Sequence, residues 1–134
     1  MPRLLALLLL ASAGCHRYPD DTPADAYRSL LAAAQRDDEE RVLSLLSDRS
    51  RTELSSRVQQ LVRASGGALR ASPADYLIPE RHSPPPSAVT VRSEDGKAAV
   101  LAVTVQGAVQ EVHLVREGGH WRVSIPALER SGDG

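Results

Sequence analysis

The sequence is short of aromatic residues, of cysteine and of net charge, and each shortage removes a class of function. It has no Phe, one Trp (Trp121) and three Tyr (Tyr18, Tyr27 and Tyr76). The core must therefore be built from Leu, Val, Ile and Ala. Single-strand nucleic-acid sites lean on stacked rings, and sugar sites commonly do, so both readings lose ground. Formal net charge is −1, from 16 Lys+Arg against 17 Asp+Glu. No basic face is implied, and nucleic acid is not an expected partner. Fifteen of the basic residues are Arg, and Lys97 is the one lysine. A single cysteine, Cys15, excludes an internal disulfide. The longest apolar run, 4–11, falls well short of the roughly 20 residues that cross a bilayer.

That run is informative in another way. Arg3 precedes it, and the small residues Ser12, Ala13 and Gly14 follow before Cys15. Charge, apolar stretch and small residues are the parts of a secretory signal. A buried core helix is the competing reading, but the stretch is apolar all round and lies at the N-terminus. Residues 12–15 resemble a bacterial lipobox, with Ser12 at a place where that pattern usually has Leu. The resemblance implies a signal peptide over 1–14, cleavage after Gly14 and lipid attachment, palmitate included, at Cys15. The alternative is an ordinary cleavage site within 11–13, which leaves Cys15 as a free thiol. A lone exposed thiol is a liability in an oxidising compartment, and acylation removes it. The implied home is the bacterial cell envelope, facing the periplasm, with the membrane as first partner. His16 after the cysteine, in place of Asp, favours the outer membrane. Residues 15–21 are then the lipidated Cys and its tether, and a six-residue tether spans at most about 20 Å.

The remaining chain, about 120 residues, suits one domain with one core. Thr22-Pro23-Ala24-Asp25 reads as a helix start, with Tyr27, Leu30, Leu31 and Ala34 on one face. The acidic run 37–40 reads as the start of a second helix rather than a cation site, because acids favour a helix N-terminus. A third helix is expected from the capping pattern Ser50-Arg51-Thr52-Glu53, with Leu54, Val58, Leu61 and Val62 as its stripe and Gly66-Gly67 as its stop. Ser72-Pro73-Ala74-Asp75 starts one more turn. Residues 80–87, with three consecutive prolines, form an extended connector.

From Ala88 the period becomes two. Strands are expected at 89–93, 98–105, 108–116 and 120–125, with hairpin signals Asp95-Gly96, Gln106-Gly107 and Gly118-Gly119. Two-residue turns at the last two signals pair Leu114 with Val123, Val112 with Ile125, Arg116 with Trp121, Leu101 with Val112 and Ala99 with Leu114. Both hairpins then place Ala99, Leu101, Val112, Leu114, Trp121, Val123 and Ile125 on one face. A slip of one residue in either would reverse it. The first hairpin agrees if its loop is Glu94-Asp95-Gly96, which adds Val89 and Val91. The opposite face carries Val100, Ala102, Thr104, Val109, Glu111, His113, Val115, Arg122 and Ser124. It is apolar enough to be covered or to serve as a partner surface. Residues 127–134 read as a flexible tail.

The fold class is therefore α+β, with N-terminal helices (22–79) packed on one face of a curved antiparallel four-stranded meander (88–126). The stretches "TPADAYRSLLAAAQRDDEERVLSLLS" and "EVHLVREGGHWRVSIP" resemble small lipoproteins of the nuclear transport factor 2-like superfamily. The resemblance implies a cone of helices over a curved sheet, enclosing a pocket. It departs where members place a strand between the second and third helices, since 48–60 reads here as helix. Such folds serve as enzymes, binding domains and dimer adaptors, so the fold selects no function.

Enzymes of that superfamily use a carboxylate or an Asp-His pair inside the cone. The inward strand positions here are aliphatic apart from Arg116 and Trp121. Candidate pocket residues are Tyr27, Tyr76, Arg116 and Trp121. Arg116 beside Trp121 is an anion holder at the rim or a stacked arginine. Candidate interface residues are Val100, Val109, His113 and Val115, with Glu111 beside His113. His82, His113 and His120 show no metal-type spacing, and no serine lies in a nucleophile elbow. No catalytic residue, metal or cofactor is assigned. The expected function is a non-enzymatic binding module for a small apolar ligand or an envelope protein. The alternatives are a small hydrolase, isomerase or dehydratase in the cone, and an envelope-assembly homodimer.

Overall fold

The computed structural model describes residues 22–77 and 84–130. The expected signal peptide, Cys15 with its tether, and His82 lie outside the described residues. No helix among the described residues is long and apolar enough to cross a membrane.

Helix α1 (Pro23–Gln35) begins as its residues direct. Thr22 is extended, and its hydroxyl accepts from the Asp25 N–H at 3.2 Å, with Pro23 in the first turn. Ala26, Ser29, Leu30, Ala33 and Ala34 form the buried face. Asp37, at φ 56, turns the chain. Asp38 then caps α2 (Glu39–Leu45) by accepting from the Arg41 N–H at 3.1 Å. The acidic run thus serves as a helix start.

Helix α3 (Asp48–Ala64) begins earlier than the Ser50 pattern suggests. Its cap is Ser47, whose Oγ accepts from the Ser50 N–H at 3.2 Å. The cause is tertiary. Leu46 bridges to Val123, and the Ser47 N–H donates to the Val123 carbonyl at 2.9 Å. The chain is held extended there and enters the helix at once. Positive φ at Gly66 and Gly67 marks the exit beyond Ala64. In α4 (Pro73–Leu77) the reciprocal bonds of a capping box join Ser72 and Asp75, at 3.1 and 3.2 Å.

The sheet is an antiparallel meander of β1 (Ala88–Glu94), β2 (Ala98–Val105), β3 (Ala108–Glu117) and β4 (His120–Ser124), in the order β1-β2-β3-β4. Leu101 lies opposite Val112, Ala99 opposite Leu114, Leu114 opposite Val123 and Arg116 opposite Trp121. These are the pairings that the turn signals require. β4 ends at Ser124, so Ile125 is not a ladder partner of Val112.

The first hairpin differs. A loop over 94–96 would set Val91 opposite Ala99, whereas Glu94 takes that place and Val91 faces Leu101. Asp95 closes the turn instead. Its N–H donates to the Ala98 carbonyl at 3.1 Å, and its carboxylate accepts from the Lys97 and Ala98 N–H groups at 2.9 Å each. A bulge between Val91 and Ser93 then restores the parity. Val89 and Val91 keep the expected face, two residues further along the partner strand.

A single core joins helices and sheet. α1 supplies Leu30 and Ala33; Val42, Leu45 and Leu46 come from α2 and its end; α3 adds Leu54 and Val58. They close on Ala99, Leu101, Val103, Leu114, Trp121 and Val123. The helices lie on one face of an open four-stranded sheet, the expected α+β class. At its end the chain departs from a tail. Residues Pro126–Glu129 form a short helix, α5, with Leu128 buried. Four residues show no period, and the turn is held by contacts with α3.

Candidate functional site

The inner face of the sheet is closed by the helices. Trp121 is 2% exposed and Leu101 fully buried. Arg116 is exposed on the inner row at the end of β3, its guanidinium carbon 5.9 Å from the Trp121 ring centre. These two candidate residues are brought together as a cation stacked over a buried ring. Tyr27 of α1 is half-buried against the core, and burial raises its phenol pKa. Tyr76 of α4 is exposed, and its hydroxyl accepts from Arg57 of α3 at 3.3 Å. Among the described residues, those that are buried are apolar, Pro23 and Pro73 included, except for Ser29, Ser47, Ser50 and Ser124.

The outer face is the more open one. Val109 is 60% exposed, while Val100, His113 and Val115 are half-buried. Register sets Val100 beside His113 and Val115 beside Arg122. Glu111 receives a hydrogen bond from Arg92, which reaches across from the β1 bulge, and lies 3.8 Å from His113 Nε2. Exposed pairs of this kind contribute at most about 1 kcal/mol. They give the face a line of mixed charge beside its valines. Among the described residues, no group of three His, Cys, Asp or Glu could hold a metal ion.

A third constellation escaped the sequence reading. One carboxylate oxygen of Glu129 accepts from the hydroxyls of Ser47 at 3.0 Å, Ser50 at 2.9 Å and Ser124 at 3.0 Å. Arg49 donates to the Glu129 carbonyl at 2.8 Å. Ser50 also accepts from the Ile125 N–H at 2.8 Å. The group ties the start of α3 to the end of β4 and to α5. Partial burial works against the charge on Glu129, but the hydroxyls of Ser50, Ser124 and Ser47 and the charge of Arg49 outweigh it, and its pKa is lowered. The one local signal was Pro126 opening a turn that carries Leu128 and Glu129.

No protein-family model, curated protein or solved structure matches this chain.

Proposed function

We propose that this chain is a lipid-anchored domain of the bacterial cell envelope, held through Cys15, that acts by binding rather than by turnover. The observation that carries the binding reading is the composition of the interior. Described residues that are buried are aliphatic chains, one indole, two prolines and four serines. A general acid or base needs a titratable group at the reaction site, and the side of the sheet that faces the helices offers packing instead. The domain is then a nuclear transport factor 2-like cone whose hollow is taken up by its own core. Binding passes to the outer sheet face, where Val100, Val109 and Val115 lie beside the Arg92–Glu111–His113 line. That surface suits a protein partner presenting apolar side chains bordered by charges of both signs.

The anchor is tested by fractionating host cells that express the chain or its Cys15→Ser variant. The wild type should sediment with membranes, and its mature N-terminal peptide should carry the mass of acylated cysteine. The variant should appear in the soluble fraction. Unmodified wild type in the soluble fraction would overturn the anchor. Binding is tested separately by cross-linking in intact cells, comparing wild type with Val100→Asp/Val115→Asp. Loss of the cross-linked partner with the fold unchanged supports the outer face. Cross-links that persist in the variant reject it, and turnover abolished by changing one buried residue rejects a binding role.

A further inference from the structure

The Glu129 group differs from an ordinary surface tie. Three hydroxyls from two separated parts of the chain converge on one carboxylate oxygen, and two of them belong to fully buried serines. Two of the donors are also committed elsewhere. Ser47 Oγ accepts from the Ser50 N–H, and Ser50 Oγ accepts from the Ile125 N–H. The hydroxyl oxygens of Ser47 and Ser50 thus each have an N–H pointing at them, which leaves their protons to face Glu129. Such an arrangement suits an ionised acceptor. A carboxylate accepts at both oxygens, whereas a protonated carboxyl is a weaker acceptor and brings a proton of its own.

We propose that α5 is an acid-released clasp: ionised Glu129 holds the C-terminal turn across the start of α3 and the end of β4, and protonation lets it go. Release frees Leu128, which is 3% exposed when docked, and uncovers the apolar site that it fills. It also unseats the Ile125 N–H from Ser50 and bares the end of β4. Among the described residues, the groups that face the carboxylate are these. Arg49 of α3 favours its ionised form; β4 presents the neutral Ser124; Arg130, beside α5, turns back to the Pro126 carbonyl at 3.3 Å.

The sign follows from linkage. The folded-state pKa lies below the ordinary glutamate value. The hold is therefore complete above the unfolded value and is lost as pH falls through the folded value.

The test is amide hydrogen exchange on the full chain across pH, corrected for intrinsic rates, in wild type and Glu129→Gln. At neutral pH the wild type should protect 125–130 and lose that protection on acidification before the sheet amides of β2 and β3 exchange. The variant, a neutral stand-in for the protonated acid, should exchange there faster by on the order of tenfold or more at neutral pH, with the sheet still protected. Ser124→Ala should give a smaller acceleration and shift the wild-type midpoint upward. Wild-type protection in Glu129→Gln would overturn the proposal. So would loss of α5 and sheet protection together, because the turn would then not open on its own.

Discussion

Ser50 is fully buried, and both sides of its hydroxyl are in use: it donates to Glu129 and accepts from the Ile125 N–H. Removing the oxygen leaves a backbone donor without that acceptor and strips a charged acceptor of one donor. Ser50→Ala should therefore destabilise the domain by about 1–3 kcal/mol. In thermal denaturation each kcal/mol lowers Tm by roughly 4–8 °C for a domain of this size. A Tm within 1 °C, on the order of experimental error, would show the hydroxyl to be idle. Arg116 and Trp121 make the opposite pair. Trp121→Ala empties the centre of the core and should cost about 3–5 kcal/mol. Arg116→Ala removes only an exposed cation over the ring, worth about 0.5–1 kcal/mol. Equal losses in urea denaturation would mean that Arg116 does more than stack.

At the scale of the element, the hairpins explain why the sheet was readable. Gln106 and Gly107 both have positive φ, at 50 and 79, which is the two-residue turn that matches strand twist. Glutamine is ill suited to that conformation and asparagine suits it. Gln106→Asn should stabilise by about 0.5 kcal/mol, and Gly107→Ala should destabilise by about 1–2 kcal/mol. Chemical denaturation of the two variants checks both signs. The same turn chemistry, with strict alternation, sets the register of three strands. What was not legible lies where long-range contacts override local pattern. Ser50 fits a capping box by sequence, yet the Leu46–Val123 bridge moves the helix start to Asp48. The bulge at Arg92 depends on a turn closed by the Asp95 carboxylate, which the Asp95-Gly96 signal alone does not distinguish from a three-residue loop. The Glu129 group joins residues whose nearness follows from the fold and not from any motif.

At the scale of the molecule, the two sheet edges are managed differently. β4 is flanked by the 46–47 segment, whose Ser47 N–H reaches the Val123 carbonyl at 2.9 Å. Among the described residues, β1 has no such neighbour in the sheet order, and its Val91 is 48% exposed. An open edge invites pairing with another chain, and a bulge bearing a charge blunts it. The bulge on β1 lies at Arg92. Arg92→Val should therefore increase light scattering on heating at a given protein concentration, while leaving the monomer fold unchanged by circular dichroism. Scattering equal to wild type would show that the edge is guarded by something other than Arg92.

The hydrogen bonds of Glu129 span 82 residues to Ser47 and 79 to Ser50. The strands, by contrast, join neighbour to neighbour through short turns. Local hairpins close quickly, and contacts across long loops form slowly because chain entropy must first be overcome. The meander should thus assemble early and the joint between the two ends of the domain late. The slowest refolding phase should report on the joints at Leu46, Val123, Leu128 and Glu129 rather than on the hairpin turn at Gln106 and Gly107.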